Sequence, residues 1–169
     1  KKNQDKQFTN VVSLETKKSD LENIEINKIL EADPKFDASN FLTGSRTFFK
    51  MVLNSFVNGN LDDVKDFIKP SVFKSFKSAI EERNKENETL AIDLKSIQEN
   101  KIIKATITKS SIKINVQYKS LQIRVLMDKN EKIIDGDNNK EMLVKDEWVY
   151  ERKIKDQSTN WMLIETKSY

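Results

Sequence analysis

The sequence has no cysteine and no histidine among its 169 residues, only three glycines and two prolines, and no apolar run longer than four residues. Without cysteine there is no disulfide framework and no thiol nucleophile. Without histidine there is no imidazole acid–base pair, no Ser-His-Asp triad and no Cys/His zinc site. Any catalysis falls to carboxylates, lysine or tyrosine. An apolar run of four falls far short of the ~20 residues that a membrane-spanning helix requires. Charge of one sign is also scarce in excess: 30 Lys+Arg against 27 Asp+Glu leaves +3, with the two signs interspersed. That balance describes a solvated surface rather than a nucleic-acid binder. Three glycines and scattered acids supply no Gly-rich phosphate loop and no ligand cluster, so no cofactor or metal is implied.

What is present is periodicity. Residues 1–19 are polar, with Lys1, Lys2, Lys6, Lys17 and Lys18 around Val11 and Val12, and read as a flexible linker. The chain opens on Lys1, and the expectation is a fragment whose anchor preceded it. Residues 20–169 read as a single domain. Ser19 or Asp20 caps a short helix using Leu21, Ile24, Ile29 and Leu30, which stops before Asp33-Pro34. Asp37 caps a longer helix over 38–58, stopped by Gly59, whose aromatic stripe contains Phe41, Phe48, Phe49 and Phe56. Asn60 opens a short helix to Ile68, and Pro70 starts a third that runs to about Asn87, with Val72, Phe73, Phe76 and Ile80 on one face. After Glu88 the period changes from 3.6 to 2: Leu90/Ile92/Leu94, Ile103/Ala105/Ile107, Ile112/Ile114/Val116/Tyr118 and Leu121/Ile123/Val125/Met127. Hairpin breaks are expected at Glu99-Asn100, Lys109-Ser110 and Lys129-Asn130, and a further turn at Asp135-Gly136-Asp137. Strands 143–154 and 161–166 follow. Helices first and antiparallel strands after predict an α+β domain, its helices packed on one face of a curved antiparallel sheet.

The order of several local motifs is specific. Phe41-Leu42-Thr43-Gly44-Ser45-Arg46-Thr47-Phe48-Phe49, Phe56-Val57-Asn58-Gly59-Asn60, Val72-Phe73-Lys74-Ser75-Phe76 and Ala79-Ile80-Glu81-Glu82-Arg83 are followed by Gly136-Asp137, then by Val144 to Arg152 with Asp146-Glu147-Trp148 at its centre, then by Asn160-Trp161-Met162-Leu163. Over about residues 29–167 this order resembles the Tim44-like domain family, named for the matrix-side scaffold of the mitochondrial import motor. Ser45 where Ala is usual, Val149-Tyr150 where Thr-Phe is usual and Thr159 where Pro often precedes Asn-Trp are the departures. The resemblance implies the cone-shaped architecture of nuclear transport factor two. It also implies a non-enzymatic, membrane-peripheral module without catalytic residues or cofactor, which binds anionic lipid and a protein partner and no nucleic acid. Asp33-Pro34-Lys35-Phe36-Asp37 is similar to the bacterial members, which begin with one membrane-spanning helix. That likeness implies a bacterial inner-membrane location, peripheral or single-pass anchored.

Three groups of residues carry candidate chemistry. All nine phenylalanines precede residue 77. Phe41, Phe48, Phe49, Phe56, Phe73 and Phe76 are either core between helices and sheet or the lining of a groove for a partner or acyl chain. From Lys101 to Met127 six cations occur without an acid. Lys104, Lys113 and Arg124, on the polar phase of their strands, are expected to share the open face of the sheet and attract anionic phospholipid; the plain alternative is a solvated face offset by the acidic hairpin after it. Asp146 falls on the apolar phase, where it is either a buried carboxylate held by Arg152 or backbone N–H groups, or, with Glu165, the acid of a lyase or isomerase. A last alternative is an assembly factor of an envelope secretion complex, whose known components share the fold.

Overall fold

The computed structural model describes residues 20–156 and 160–169, so the linker reading of 1–19 and the departure at Thr159 lie outside the described residues. Helix α1 (20–32) packs Ile29 into the core and ends where Asp33 precedes Pro34. Helix α2 (Ala38–Asn58) begins at Asp37, whose carboxylate accepts the Asn40 N–H at 3.0 Å. It ends at Gly59, which takes φ +74° and donates its N–H to the Ser55 carbonyl. In place of the expected helix over 60–68 there is only a turn and a 3₁₀ segment, Lys65–Phe67, because Pro70 opens α3 (Pro70–Lys85) and leaves little length for a helical nucleus.

The sheet contains β1 (Thr89–Ile107), β2 (Ser111–Met127), β3 (Ile133–Gly136), β4 (Met142–Lys153) and β5 (Met162–Ser168), in the order β1-β2-β4-β5 with β3 on the far half of β2. All pairings are antiparallel. The architecture is α+β, as expected. The hairpin expected at Glu99-Asn100 does not exist: β1 is one strand that carries an extra residue at 95, 98 and 103. Each bulge moves the following side chains to the opposite face, which mimics a break. Thus Ile102, not Ile103, is buried, and Ile97, Ile102 and Ala105 all face the helices.

β2 is unbroken, yet its polarity inverts near residue 120. Up to Tyr118 the even positions are apolar and face the helices. Beyond it the same face carries Ser120, Gln122 and Arg124, while Leu121, Ile123 and Val125 point the other way. Asp135-Gly136 closes the short β3 rather than forming a free turn. Gly136 has φ +85°, and a Cβ there would land on the Arg124 backbone carbonyl. Gly136→Ala is therefore expected to cost about 1–3 kcal/mol and to lift β3 off β2. Amide exchange at Leu126 and Asp135 is expected to accelerate while Val116 stays protected; unchanged exchange at those two amides would refute the strain argument.

Candidate functional site

At one end of the helix-facing side lies a cavity of about 510 Å³, within the size range of small-ligand sites. The α1–α2 connection supplies Phe36; one side of α2 supplies Phe41, Gly44, Ser45 and Phe48; the 3₁₀ turn supplies Phe67; β4 supplies Tyr150 and Arg152, and Trp161 comes from the segment just before β5. The rings touch in succession. Phe36 and Phe41 lie 5.6 Å apart, Phe41 meets Trp161 at 5.1 Å and Tyr150 at 5.8 Å, and Phe48 bridges Tyr150 and Phe67 at 6.3 and 6.2 Å, nearly all edge-on. Edge-to-face stacking fixes such rings while leaving apolar faces toward the space between them. Gly44 is part of the opening: a Cβ at this position would meet nothing within 4 Å.

At the polar end of the cavity the two phenol hydroxyls are satisfied, while the buried Nε of Arg152 has no hydrogen-bond partner among the described residues. The Tyr118 hydroxyl donates to the Ser45 carbonyl at 3.2 Å, so the Tyr150 hydroxyl, 2.8 Å away, donates to Tyr118. Burial pushes the Tyr118 phenol up to about 12 and Tyr150 well above its usual value, so both are neutral donors rather than bases. The Arg152 guanidinium pairs with the Asp33 carboxylate and sits 4.9 Å above the Trp161 ring. That hydrogen bond is the main reason the Asp33 carboxyl lies below the ordinary aspartate range. The cavity is thus mainly aromatic in its lining, with Lys35, Asp37, Asn40, Arg152 and Asn160 at its border.

The six phenylalanines separate into two sets. Phe41 and Phe48 line the cavity. Phe49 is fully buried, stacked 4.4 Å from Tyr118 and 4.9 Å from Trp148. Phe56 and Phe76 pair at 5.9 Å beneath the Arg83 guanidinium, and Phe73 packs on the core. The reason is helical pitch: residues seven apart nearly superpose, so Phe41 and Phe48 lie on one line of α2 and Phe49 and Phe56 on another. Phe36, Phe67, Tyr150 and Trp161 are absent from the sequence-based groove because they come from a connection, a 3₁₀ turn, a strand and the segment before the last strand.

The three cations are also not brought together. Lys104 stands opposite Asn115, and Lys113 opposite Thr106, on the outer face; Arg124, beyond the polarity inversion, lies on the helix-facing side with Asp146. The outer face is largely charge-balanced by cross-strand acids: Glu99 pairs with Lys101 and with Lys119 (2.7 Å), and Glu151 lies 3.7 Å from Lys113. Lys104 forms no ion pair among the described residues.

Asp146 is buried, as its phase implied, but Arg152 does not hold it, since Asp33 has taken that partner. Its bond comes from Ser168, and burial raises its pKa. Glu165 pairs across from Val149 on the outer face, because a bulge in β5 reverses the phase between Leu163 and Glu165. The two acids therefore face opposite sides of the sheet and form no dyad. Because the folded state holds the Asp146 proton more tightly than the unfolded chain, this residue makes stability fall as pH rises above the unfolded aspartate range. Asp146→Asn is expected to raise Tm near neutral pH and to match wild type below about pH 3; a gain of equal size at both pH values would disprove the assignment.

No helix among the described residues is long and apolar enough to cross a membrane. The sequence model of one protein family, described as the Tim44-like domain, matches residues 24–168. Among solved structures, the intermembrane space region of the chloroplast protein ARC6 superposes with a TM-score of 0.53 at 10% identity, over 80% of this chain and 98% of that chain. That likeness is one of fold, consistent with the architecture the sequence implied. No curated protein matches the chain.

Proposed function

Since this chain belongs to the Tim44-like domain family, we propose that it is a translocation-related scaffold: a non-enzymatic, membrane-peripheral adaptor domain. It seats an apolar segment of a protein partner, or an acyl chain, in the aromatic cavity, and it meets anionic lipid through outer-face cations that include Lys104 and Lys113. Its place in this reading is the inner membrane of a bacterium, with residues 1–19 as the tether. The observation that carries the reading is the cavity itself. Six aromatic rings around 510 Å³ of space exceed what a core needs, because core aromatics pack against one another without leaving room.

Gly44→Phe tests it. The new ring grows into open space, so the fold is kept, and it displaces roughly four methylenes of a bound chain at about 0.8 kcal/mol each. Affinity for a fluorescent fatty acid is expected to fall about a hundredfold with no loss of Tm. Equal affinity in the variant would refute the cavity as the binding site. The lipid half predicts co-sedimentation with vesicles containing phosphatidylglycerol, fading with salt; a chain that stays in the supernatant with those vesicles at low salt would refute it.

A further inference from the structure

The adaptor reading puts anionic lipid on outer-face cations, but the middle of that face is a poor candidate, since Lys101 and Lys119 pair with Glu99 and Lys113 lies 3.7 Å from Glu151. One end of the sheet differs. The β1–β2 hairpin turns at Lys109-Ser110, and the Ser110 carbonyl accepts the Ile154 N–H at 2.9 Å, which ties this hairpin tip to the end of β4. Lys153 stands directly across from Ser111. Lys109, Lys153 and Lys155 are exposed, and none forms an ion pair among the described residues. At the same end of the sheet Ile107 and Ile154 stand 37% and 38% exposed. Lys104 and Lys113 continue the same cluster onto the outer face. The acids nearby are Glu151, 3.7 Å from Lys113, Asp156, and Glu25 of α1, which is held by Lys28 at 2.7 Å and by the Ala105 N–H.

We propose that this end, which carries Lys109, Lys153 and Lys155 together with the exposed Ile107 and Ile154, is the surface that docks on an anionic membrane. The proposal rests on the lipid half of the adaptor reading and gives it a location. Charge and hydropathy both fit. Unpaired lysines near a charged bilayer each contribute about 1 kcal/mol of attraction. Their long stems let the two branched apolar side chains reach the interface. The position is also consistent with the cavity, because Arg152, which lines it, directly precedes Lys153 on β4. A tip resting on the membrane brings the aromatic site to the level of the lipid headgroups.

The test is co-sedimentation of the full chain with vesicles of phosphatidylcholine alone or mixed with phosphatidylglycerol, at low and high salt. Lys109→Glu, Lys153→Glu and Lys155→Glu together are expected to weaken binding to the anionic vesicles about a hundredfold or more, with Tm unchanged. Ile107→Ser with Ile154→Ser is expected to remove the binding that survives high salt. A single Ile154→Trp variant supplies a second readout: its fluorescence shifts to the blue on anionic vesicles if residue 154 enters the interface. If wild type binds and both sets of variants bind equally well, the docking end is elsewhere and the proposal is overturned, while the adaptor reading stands. If wild type fails to bind anionic vesicles, the reading and the proposal fall together. A tip variant that keeps its vesicle binding but loses a cross-linked acidic protein would overturn the membrane assignment in favour of a protein contact.

Discussion

Phe49→Ala is expected to lower the stability of the fold by about 3–5 kcal/mol, among the largest effects of any single truncation in this chain. Phe49 has no exposed surface, and it joins the two layers of the structure. Its ring stacks on Tyr118 of β2, 20° from parallel, and is tilted against Trp148 of β4, which itself meets Tyr118 at 5.5 Å. Removing the ring deletes the contacts of α2 with Tyr118 and Trp148 and leaves a void between these two large side chains. The cost is therefore transfer free energy plus cavity, rather than transfer alone. For a chain of this size the shift in Tm is about 10 °C or more. Denaturant titration gives the comparison: Phe49→Ala is expected to lose far more than Phe41→Ala, whose ring borders open space. Equal losses would mean that the two lines of α2 are not distinguished as the structure indicates.

Arg152→Met is the second large effect. The guanidinium is 14% exposed and the Asp33 carboxylate 20%, so removing the cation leaves a half-buried anion whose remaining bond is the Lys35 N–H at 3.1 Å. Breaking a buried pair by removing one partner costs several kcal/mol. The residual exposure of both groups places this one at the lower end, about 3 kcal/mol. The cost depends on pH in a defined direction. Because Asp33 titrates below its unfolded value, its pairing stabilises the fold above the unfolded pKa and is lost as pH falls through the folded one. Arg152→Met is therefore expected to differ most from wild type near neutral pH and least in acid, and adding Asp33→Asn is expected to restore part of the loss. Since the same guanidinium covers the Trp161 ring, the variant is also expected to loosen one wall of the cavity and shift Trp161 emission to the red. A loss of stability that is constant across the acid range would show that packing, not the ion pair, is what Arg152 supplies.

The helices and the fold class were legible because capping residues and the 3.6-residue period act locally: Asp37, Gly59 and Pro70 mark the ends they were read to mark. The strands were legible as strands but not as faces. Bulges at 95, 98 and 103 in β1 and one in β5 each change which face later residues occupy, and a bulge has no distinct residue signature here. Ile103 and Glu165 were misplaced for that reason. Arg124 was misplaced for another: β2 has no bulge, but its apolar phase changes sides at Ser120, and periodicity follows hydropathy rather than geometry. Half of the cavity was out of reach from sequence, since Phe67, Tyr150 and Trp161 meet Phe48 and Phe41 only in three dimensions. The separation of Phe41 and Phe48 from Phe49 and Phe56, by contrast, was readable from their seven-residue spacing.

The bulge at residue 103 has a further consequence at the margin of the sheet. β1 is an edge strand, and the N–H groups of Ile102 and Ala105 point away from β2 into carboxylates of α1: Glu22 accepts the first at 3.1 Å and Glu25 the second at 2.6 Å. Two helix side chains thus take the place that a neighbouring strand would fill. An uncapped edge recruits strands from other chains, so α1 acts as a guard against self-association at this margin. The guard consists of two hydrogen bonds that form again each time the chain folds, and it requires no covalent bond in a sequence that has no cysteine to make one.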